Sequence, residues 1–213
     1  MFKKSFFLLT MCLFMMTEAL AGELQIIDKP IIWSEQREQL IREYAMTHYG
    51  LDQVYITPQA VVVHWTASGT WESAYNHFYN ESRGDGTLNV ASHFLVSKEG
   101  QIFRLTPETA LNRHIIGYNW CAIGIENVGG VGGAEDLTDA QLEANIDLIL
   151  YLQEKYPTIH YVFGHYQQVA ARESGLYIEK VAGYRSEKID PGHNFMKALR
   201  ERLQDRGLVF YPE

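Results

Sequence analysis

The 213-residue sequence has few basic residues, and its charged residues do not form long runs. Eighteen Lys and Arg stand against 26 Asp and Glu, which gives a net charge of −8. Binding to nucleic acid depends on basic side chains that neutralise phosphates, so we expect no nucleic-acid partner. Only 21% of the residues are charged and 46% are hydrophobic. This composition argues against bulk disorder and predicts a globular domain with a substantial core.

Long apolar stretches are also scarce, and the most pronounced one lies at the N-terminus. Lys3 and Lys4 precede the apolar residues 5–16, and Ala19-Leu20-Ala21 follows them. This order of charge, apolar run and small residues predicts a secretory signal peptide over residues 1–21. About 12 apolar residues are fewer than the roughly 20 that span a bilayer. We therefore expect export to a periplasm or to the outside, with no stable membrane insertion after cleavage.

Cysteine is rare as well. Cys12 lies in the predicted signal peptide, so Cys121 would be the only thiol of the mature chain. An intramolecular disulfide is then excluded, although an exported protein could form one. Cleavage would also remove two lysines and one glutamate and change the net charge to −9. The mature protein must depend on its core, or on a metal, for stability.

No internal repeat and no low-complexity linker interrupts the mature chain. We expect residues 22–57 to form an N-terminal extension with one helix, residues 58–205 to form the main domain, and residues 206–213 to form a C-terminal tail. Within the extension, residues 22–30 resemble an irregular lead-in. Ser34 is a suitable helix N-cap, and Gly50 ends the helical pattern.

Strands and helices alternate through the main domain. The β-branched run at 60–64 predicts a buried strand, and further strands are predicted at 122–128 and 161–163. Residues 92–97 and 102–105 predict a hairpin. Helices are predicted at 70–82, after a capping box at Thr138 and Gln141, and along an apolar stripe at Phe195, Leu199 and Leu203. The predicted fold class is α/β (α+β), with a mixed central β-sheet flanked by helices.

Two histidines and one aspartate lie where functional sites often form. His64 and His165 are at the carboxyl ends of predicted buried strands, where side chains open onto the edge of a sheet. Asp190 lies in a turn that contains Pro191 and Gly192. Two imidazoles and one carboxylate suit a catalytic zinc ion. Taken singly, each histidine could also be an ordinary polar residue at a strand end, and no contiguous HExxH motif is present.

Short motifs in a fixed order extend this observation. They are VVHWT at 62–66, SHF at 92–94, His114 with Gly117, IGIEN at 123–127, GH at 164–165 and KIDPG at 188–192. Together they resemble the zinc-dependent N-acetylmuramoyl-L-alanine amidases of the type 2 amidase family, which also includes peptidoglycan recognition proteins. The resemblance covers roughly residues 58–205. It implies that this segment is a zinc amidase domain with the mixed-sheet fold of that family.

The resemblance also implies roles for single residues. His64, His165 and Asp190 match the zinc ligands, Glu126 the general base, and Lys188 a lysine beside the metal. His114 and Trp65 are candidate substrate-binding residues. We expect His93 to be a core or supporting residue, His193 to start a helix, and Cys121 to be buried and not a ligand.

Three features depart from the family pattern. Arg113 replaces a tryptophan that often precedes the histidine matching His114. The stretch 166–187 is longer than in compact members and is a candidate flap over the cleft. The helix near residues 34–50 precedes the family core. Ser92 occupies the position of a tyrosine that another branch of the family uses, which favours the branch with a glutamate base.

The implied activity is zinc-dependent hydrolysis of the amide bond between N-acetylmuramic acid and L-alanine, in peptidoglycan or muropeptides. The alternative is a non-catalytic protein that recognises peptidoglycan. An exported lytic factor would share the chemistry and differ only in whose wall it cuts. Because an acidic protein has no long-range attraction to anionic wall polymers, we favour action in a periplasm or on soluble fragments.

Overall fold

A seven-stranded sheet forms the centre of the computed structural model, which describes residues 24–211. The predicted signal peptide lies outside the described residues. The strands are β1 Ile26–Asp28, β2 Ala60–Trp65, β3 Phe94–Val96, β4 Ile102–Arg104, β5 Ala122–Asn127, β6 Tyr161–Gly164 and β7 Val209–Phe210. Their order in the sheet is β1-β4-β3-β5-β2-β6-β7, and all neighbours are parallel except the β3–β4 hairpin. This confirms the predicted mixed sheet.

Within the described residues, four α-helices accompany the sheet. They are α1 Glu35–Tyr49, α2 Trp71–Tyr79, α3 Asp139–Lys155 and α4 His193–Leu203. Ser34 caps α1 by accepting a hydrogen bond from the amide of Gln36, and Gly50 ends it in the left-handed conformation at φ 70°. The predicted capping box at Thr138 and Gln141 starts α3. Within residues 24–211, none of the helices has the length and apolar character needed to cross a membrane.

Two short strands correct the sequence prediction. Residues 26–28, expected to be an irregular lead-in, form β1 and pair with β4, where Arg104 also bonds the carboxylate of Asp28 at 2.7 Å. Residues 209–210, expected to lie in a tail, form β7 and pair with β6. Strands of two or three residues are too short to show a period in the sequence. Pairing partners far along the chain define them.

The two faces of the sheet bury different clusters. Val61 and Val63 of β2 belong to a cluster that includes residues of α3 and α4. Ala60 and Val62 belong to a second cluster on the other face, which includes Tyr118. Because successive side chains of a strand point to opposite faces, His64 lies on the same face as Ala60 and Val62. The site is therefore built on the face away from α3 and α4.

One buried arginine joins α1 to the end of α2. Arg37 is 1% exposed, and it donates from Nε to the carbonyl of Ile32 at 2.6 Å and from Nη2 to the carbonyl of Asn80 at 2.8 Å. Burial lowers the pKa of this guanidinium to about 10, so it stays charged at neutral pH. The contact matters for the site because α1 and α2 both contribute side chains, including Tyr44 and Phe78, to the cleft described below.

We expect Arg37→Met to destabilise the protein by about 3 kcal/mol, because buried carbonyls would lose charged donors. Urea denaturation followed by circular dichroism measures the change. Arg42→Met is the matched control, since the ion pair of Arg42 with Asp52 is exposed and should contribute less than about 1 kcal/mol. Equal losses in the two variants would contradict a special role for Arg37.

Candidate functional site

The three predicted ligands converge in one buried group. His64 Nδ1 lies 3.0 Å from His165 Nδ1, and both nitrogens lie 3.2 Å from Oδ2 of Asp190. In a tetrahedral zinc site with bonds of roughly 2.0–2.1 Å, ligand atoms lie roughly 3.3 Å apart. The observed spacing fits that geometry. Together His64, His165 and Asp190 could hold a metal ion.

Strand register explains why these residues meet. His64 of β2 is paired in register with Glu126 of the parallel strand β5, so the two side chains share a face. On the other side of β2, Val63 pairs with Gly164, and His165 follows directly. Asp190 comes from the turn before α4, where the backbone amide of Tyr166 donates to its carbonyl at 3.0 Å. The carboxyl ends of neighbouring parallel strands thus assemble the group.

The electrostatic environment favours the forms that bind a metal. Burial lowers the pKa of His64 to about 4, and the nearby carboxylate of Asp190 only partly offsets this effect. Burial alone would raise the pKa of Asp190, but the adjacent imidazoles of His165 and His64 hold it well below its usual range. At neutral pH, His64 is a neutral imidazole and Asp190 is ionised. Both forms are the ones required of metal ligands.

A chain of hydrogen bonds determines the tautomer of His64. His114 Nε2 lies 3.1 Å from the carbonyl of Ala122, so this nitrogen carries the proton and donates. Burial lowers the pKa of His114 well below its usual value, so its Nδ1 keeps a lone pair. That Nδ1 lies 3.0 Å from His64 Nε2 and accepts a hydrogen bond from it. His64 Nδ1 is therefore left as a lone pair directed to the ligand group.

Glu126 lies beside this group with one oxygen unbonded. It is half-buried, and its Oε2 is shielded from solvent without a hydrogen-bond partner among the described residues. Burial raises its pKa well above the usual value, the charge of Asp190 adds to this effect, and the charge of Lys188 opposes it. Desolvation thus favours the protonated form of this carboxyl group. The register places it next to His64.

A cleft of about 910 Å³ opens onto the site. The predicted site residues Trp65, His114, Glu126 and Lys188 all line it, together with the three ligand residues. Lys188 is exposed. Trp65 is largely buried, and its ring lies so close to Gly130 that a Cβ there would come within 2.3 Å of it. The structure thus brings together every residue that the sequence analysis assigned to the site.

Comparison with known proteins agrees with this arrangement. The family model described as N-acetylmuramoyl-L-alanine amidase matches residues 54–193, which include the whole ligand group. The chain belongs to this amidase family. The endolysin of Klebsiella phage KP32 is 28% identical over 101 residues, which are 45% of this chain and 67% of the phage protein. The resemblance seen in the sequence motifs is confirmed.

Solved structures share the fold at lower identity. The amidase LysC from Clostridium intestinale URNW is 20% identical with a TM-score of 0.55, over 84% of this chain and 97% of LysC. The Drosophila peptidoglycan recognition protein SA is 18% identical with a TM-score of 0.51, over 76% of this chain and 87% of that one. These likenesses show the common fold of amidases and recognition proteins.

Two further histidines, His93 and His193, have structural roles, as predicted. His93 is fully buried; its Nε2 bonds the carbonyl of Ala110 at 2.7 Å and its Nδ1 accepts from the amide of Gly124 at 2.9 Å. His193 is the first residue of α4. Cys121 is buried, and burial raises the pKa of its thiol. It lies outside the ligand group.

Sequence reasoning missed two supporting residues. The side-chain oxygen of Asn119 accepts from the amides of His114 and Ile115 at 2.9 and 2.7 Å and so holds the His114 loop. Glu135 accepts from the amides of His193 and Asn194, both at 3.0 Å, and so caps α4 next to Asp190. In the sequence, Gly192 precedes α4 and has no side chain that could cap the helix. This was the available sign that another residue, here Glu135, supplies the cap.

The stretch 166–187, predicted as a candidate flap, contributes to one wall of the cleft. Tyr184 and Glu187 line the cleft. The stretch is joined to α1 because His48 Nδ1 lies 2.9 Å from a carboxylate oxygen of Glu179, and because the amide of Lys180 donates to the carbonyl of His48 at 2.8 Å. α1 is therefore part of this wall, although it lies outside the matched family segment.

We expect His114→Ala to weaken divalent-metal binding about 10- to 100-fold, because His64 would lose the acceptor that selects its tautomer. Competition with a chromophoric chelator measures the affinity, and ¹⁵N NMR of the metal-free protein reports the His64 tautomer. His193→Ala is the control, since His193 lies near Asp190 but outside the ligand group, and it should bind metal like the wild type. Unchanged affinity in His114→Ala would contradict the hydrogen-bond chain.

Proposed function

We propose that this chain hydrolyses the amide bond between N-acetylmuramic acid and L-alanine in peptidoglycan or muropeptides, with zinc as its cofactor. The observation that carries the proposal is the complete His64–His165–Asp190 group lining the cleft. Membership of the amidase family supports it. Recognition proteins with the same fold make peptidoglycan binding without cleavage the competing outcome.

Zinc is the metal that this donor set suits best. Two imidazole nitrogens and one carboxylate oxygen are typical of catalytic zinc sites, in which a fourth position stays open. A bound zinc ion would supply a Lewis acid that makes water more acidic and polarises an amide carbonyl. The hydrogen bond from His64 to His114 is of the kind that orients a metal-binding imidazole.

Glu126 and Lys188 provide the proton transfer and the charge stabilisation that amide hydrolysis also requires. Glu126 takes the proton of the attacking water at its unbonded Oε2 and passes it to the departing nitrogen, which is the work of a general base and acid. The Lys188 ammonium, close enough to influence the pKa of Glu126, stabilises the negative charge that develops on the carbonyl oxygen. Glu126 and Lys188 both line the cleft together with the ligand group, which supports these two roles.

The two candidate substrate-binding residues take different roles in this proposal. Both ring nitrogens of His114 are engaged, which favours positioning of His64 over direct contact with substrate. Trp65 presents a ring at the cleft that can border the sugar or the peptide. The cleft of about 910 Å³ is in the size range of sites for small organic ligands. We further propose export through the segment 1–21, which would place the activity at the cell wall.

We expect the mature, zinc-loaded protein to release free stem peptides that begin with L-alanine. Peptidoglycan sacculi and soluble anhydro-muropeptides are the two substrates, and mass spectrometry identifies the products with and without a zinc chelator. Release should stop with the chelator and return when zinc is added. His64→Ala, His165→Ala and Asp190→Ala should each lose zinc and activity, because two ligands seldom hold zinc in a catalytic site.

Comparing the two substrates distinguishes an enzyme that acts on the intact wall from one that acts on soluble fragments. Faster release from sacculi indicates an enzyme of the intact wall, and faster release from soluble fragments indicates recycling. Zinc-loaded protein that binds muropeptides but cuts neither substrate would overturn the hydrolase and leave a recognition protein.

We expect Glu126→Gln to keep zinc but to lower kcat about 10²- to 10⁴-fold, because the amide cannot accept the proton. Zinc content is measured by mass spectrometry of the metal and turnover by peptide release. Glu201→Gln removes the same charge from an exposed position of α4 and should retain turnover. A Glu126→Gln variant that stays active with zinc bound would show that another group is the base.

A further inference from the structure

A path of hydrogen bonds joins helix α1 to the ligand group. The hydroxyl oxygen of Tyr44 accepts a hydrogen bond from Nδ2 of Asn119 at 3.1 Å. The side-chain oxygen of the same asparagine accepts from the backbone amides of His114 and Ile115. His114 in turn bonds His64, one of the three ligand residues. The path thus begins in a helix that precedes the matched family segment and ends at the metal group.

The contacts of Asn119 fix its orientation. The residue is fully buried, so water does not replace its partners. Its side-chain oxygen must face the two backbone amides, because a side-chain NH₂ group cannot accept from them, and this orientation directs Nδ2 at Tyr44. A buried donor that loses its acceptor is costly, and the group shifts to find another partner. Asn119 therefore depends on the Tyr44 hydroxyl to keep its position.

The Tyr44 hydroxyl is itself held in place. Its ring belongs to the buried cluster that also contains Ile41 of α1 and Val63 of β2, so α1 packs firmly on the sheet. The ring centre lies 4.2 Å from that of His48, and the guanidinium carbon of Arg113 lies 5.4 Å from it. Burial raises the pKa of the Tyr44 phenol, so it stays neutral at physiological pH. α1 thus presents a fixed, uncharged acceptor to Asn119.

We propose that Tyr44 is a positioning residue of the metal site, because it holds, through Asn119, the loop from which His114 selects the tautomer of His64. The inference rests on the proposed function, since it concerns the ligand group that the hydrolysis requires. It extends that group to a helix outside the matched family segment. α1 is then a working part of the metal site as well as a wall of the cleft.

Small shifts of the His114 loop matter because hydrogen bonds depend steeply on distance. His114 Nδ1 lies 3.0 Å from His64 Nε2, and His114 Nε2 lies 3.1 Å from the carbonyl of Ala122. A shift of about 0.5 Å would take either distance beyond the usual range of hydrogen bonds. His64 could then carry its proton on Nδ1, the nitrogen that faces the ligand group, and this tautomer binds no metal there.

The test compares two substitutions in α1 that each remove one hydroxyl. Tyr44→Phe should weaken Zn²⁺ binding about 3- to 10-fold, the range of coupling through packed networks, and should shift the ¹⁵N signals of His64 in the metal-free protein. Competition with a chromophoric chelator measures the affinity. Tyr49→Phe is the matched control, because Tyr49 is also buried but its hydroxyl has no hydrogen-bond partner among the described residues. It should leave both measurements at their wild-type values.

A double-mutant cycle shows whether Tyr44 acts through Asn119. In an Asn119→Ala background, Tyr44→Phe should have no further effect on metal affinity. The proposal is overturned by unchanged affinity and ¹⁵N signals in Tyr44→Phe, by an equal effect of Tyr49→Phe, or by a full effect of Tyr44→Phe without Asn119. If Asn119→Ala does not fold, the comparison of the two tyrosine variants decides.

The measurements also separate this inference from the proposed function. If the wild type binds zinc but cuts no substrate, hydrolysis fails as a function, and the affinities still decide the role of Tyr44. If the wild type binds no zinc, the cofactor assignment fails. The ¹⁵N signals of His64 then decide, since a shift in Tyr44→Phe alone supports the path and its absence overturns it.

Discussion

Two histidines and one aspartate lie side by side in a buried position, where they have lost their contact with water. They can do so only because each side chain offers the other two a polar neighbour in place of water. The adjacent imidazoles of His64 and His165 keep Asp190 ionised, against the effect of burial. The imidazole of His64 is kept neutral by burial. A bound cation would complete this balance, since a buried carboxylate needs a partner. The remainder of the site serves to maintain this arrangement.

Supporting contacts act on two members of the group, His64 and Asp190. His114 and the carbonyl of Ala122 select the tautomer of His64. Glu135 caps α4 and so steadies the turn that carries Asp190. By contrast, Glu126 Oε2 and His165 Nε2 are buried without a partner among the described residues. Buried polar atoms without partners are costly, and they concentrate where substrate or water is expected to complete the bonding.

Residues from inside and outside the matched family segment line the cleft. The ligand group, Glu126 and Lys188 lie in the segment that the amidase family model matches. Tyr44 comes from α1, which lies outside that segment, and it lines the cleft together with Tyr184. The His48–Glu179 contact holds α1 and the stretch 166–187 together.

How much the sequence determined depends on the range of the interactions involved. The β-branched run of β2, the capping box of α3 and the ordered motifs around His64, His165 and Asp190 are local patterns, so the sequence alone predicted the mixed sheet and the ligand set. The tertiary structure decided the rest. Strands β1 and β7 exist through pairing with distant strands. The role of His114 and the cap from Glu135 depend on partners that meet only when the chain folds, and a linear pattern carries no record of them.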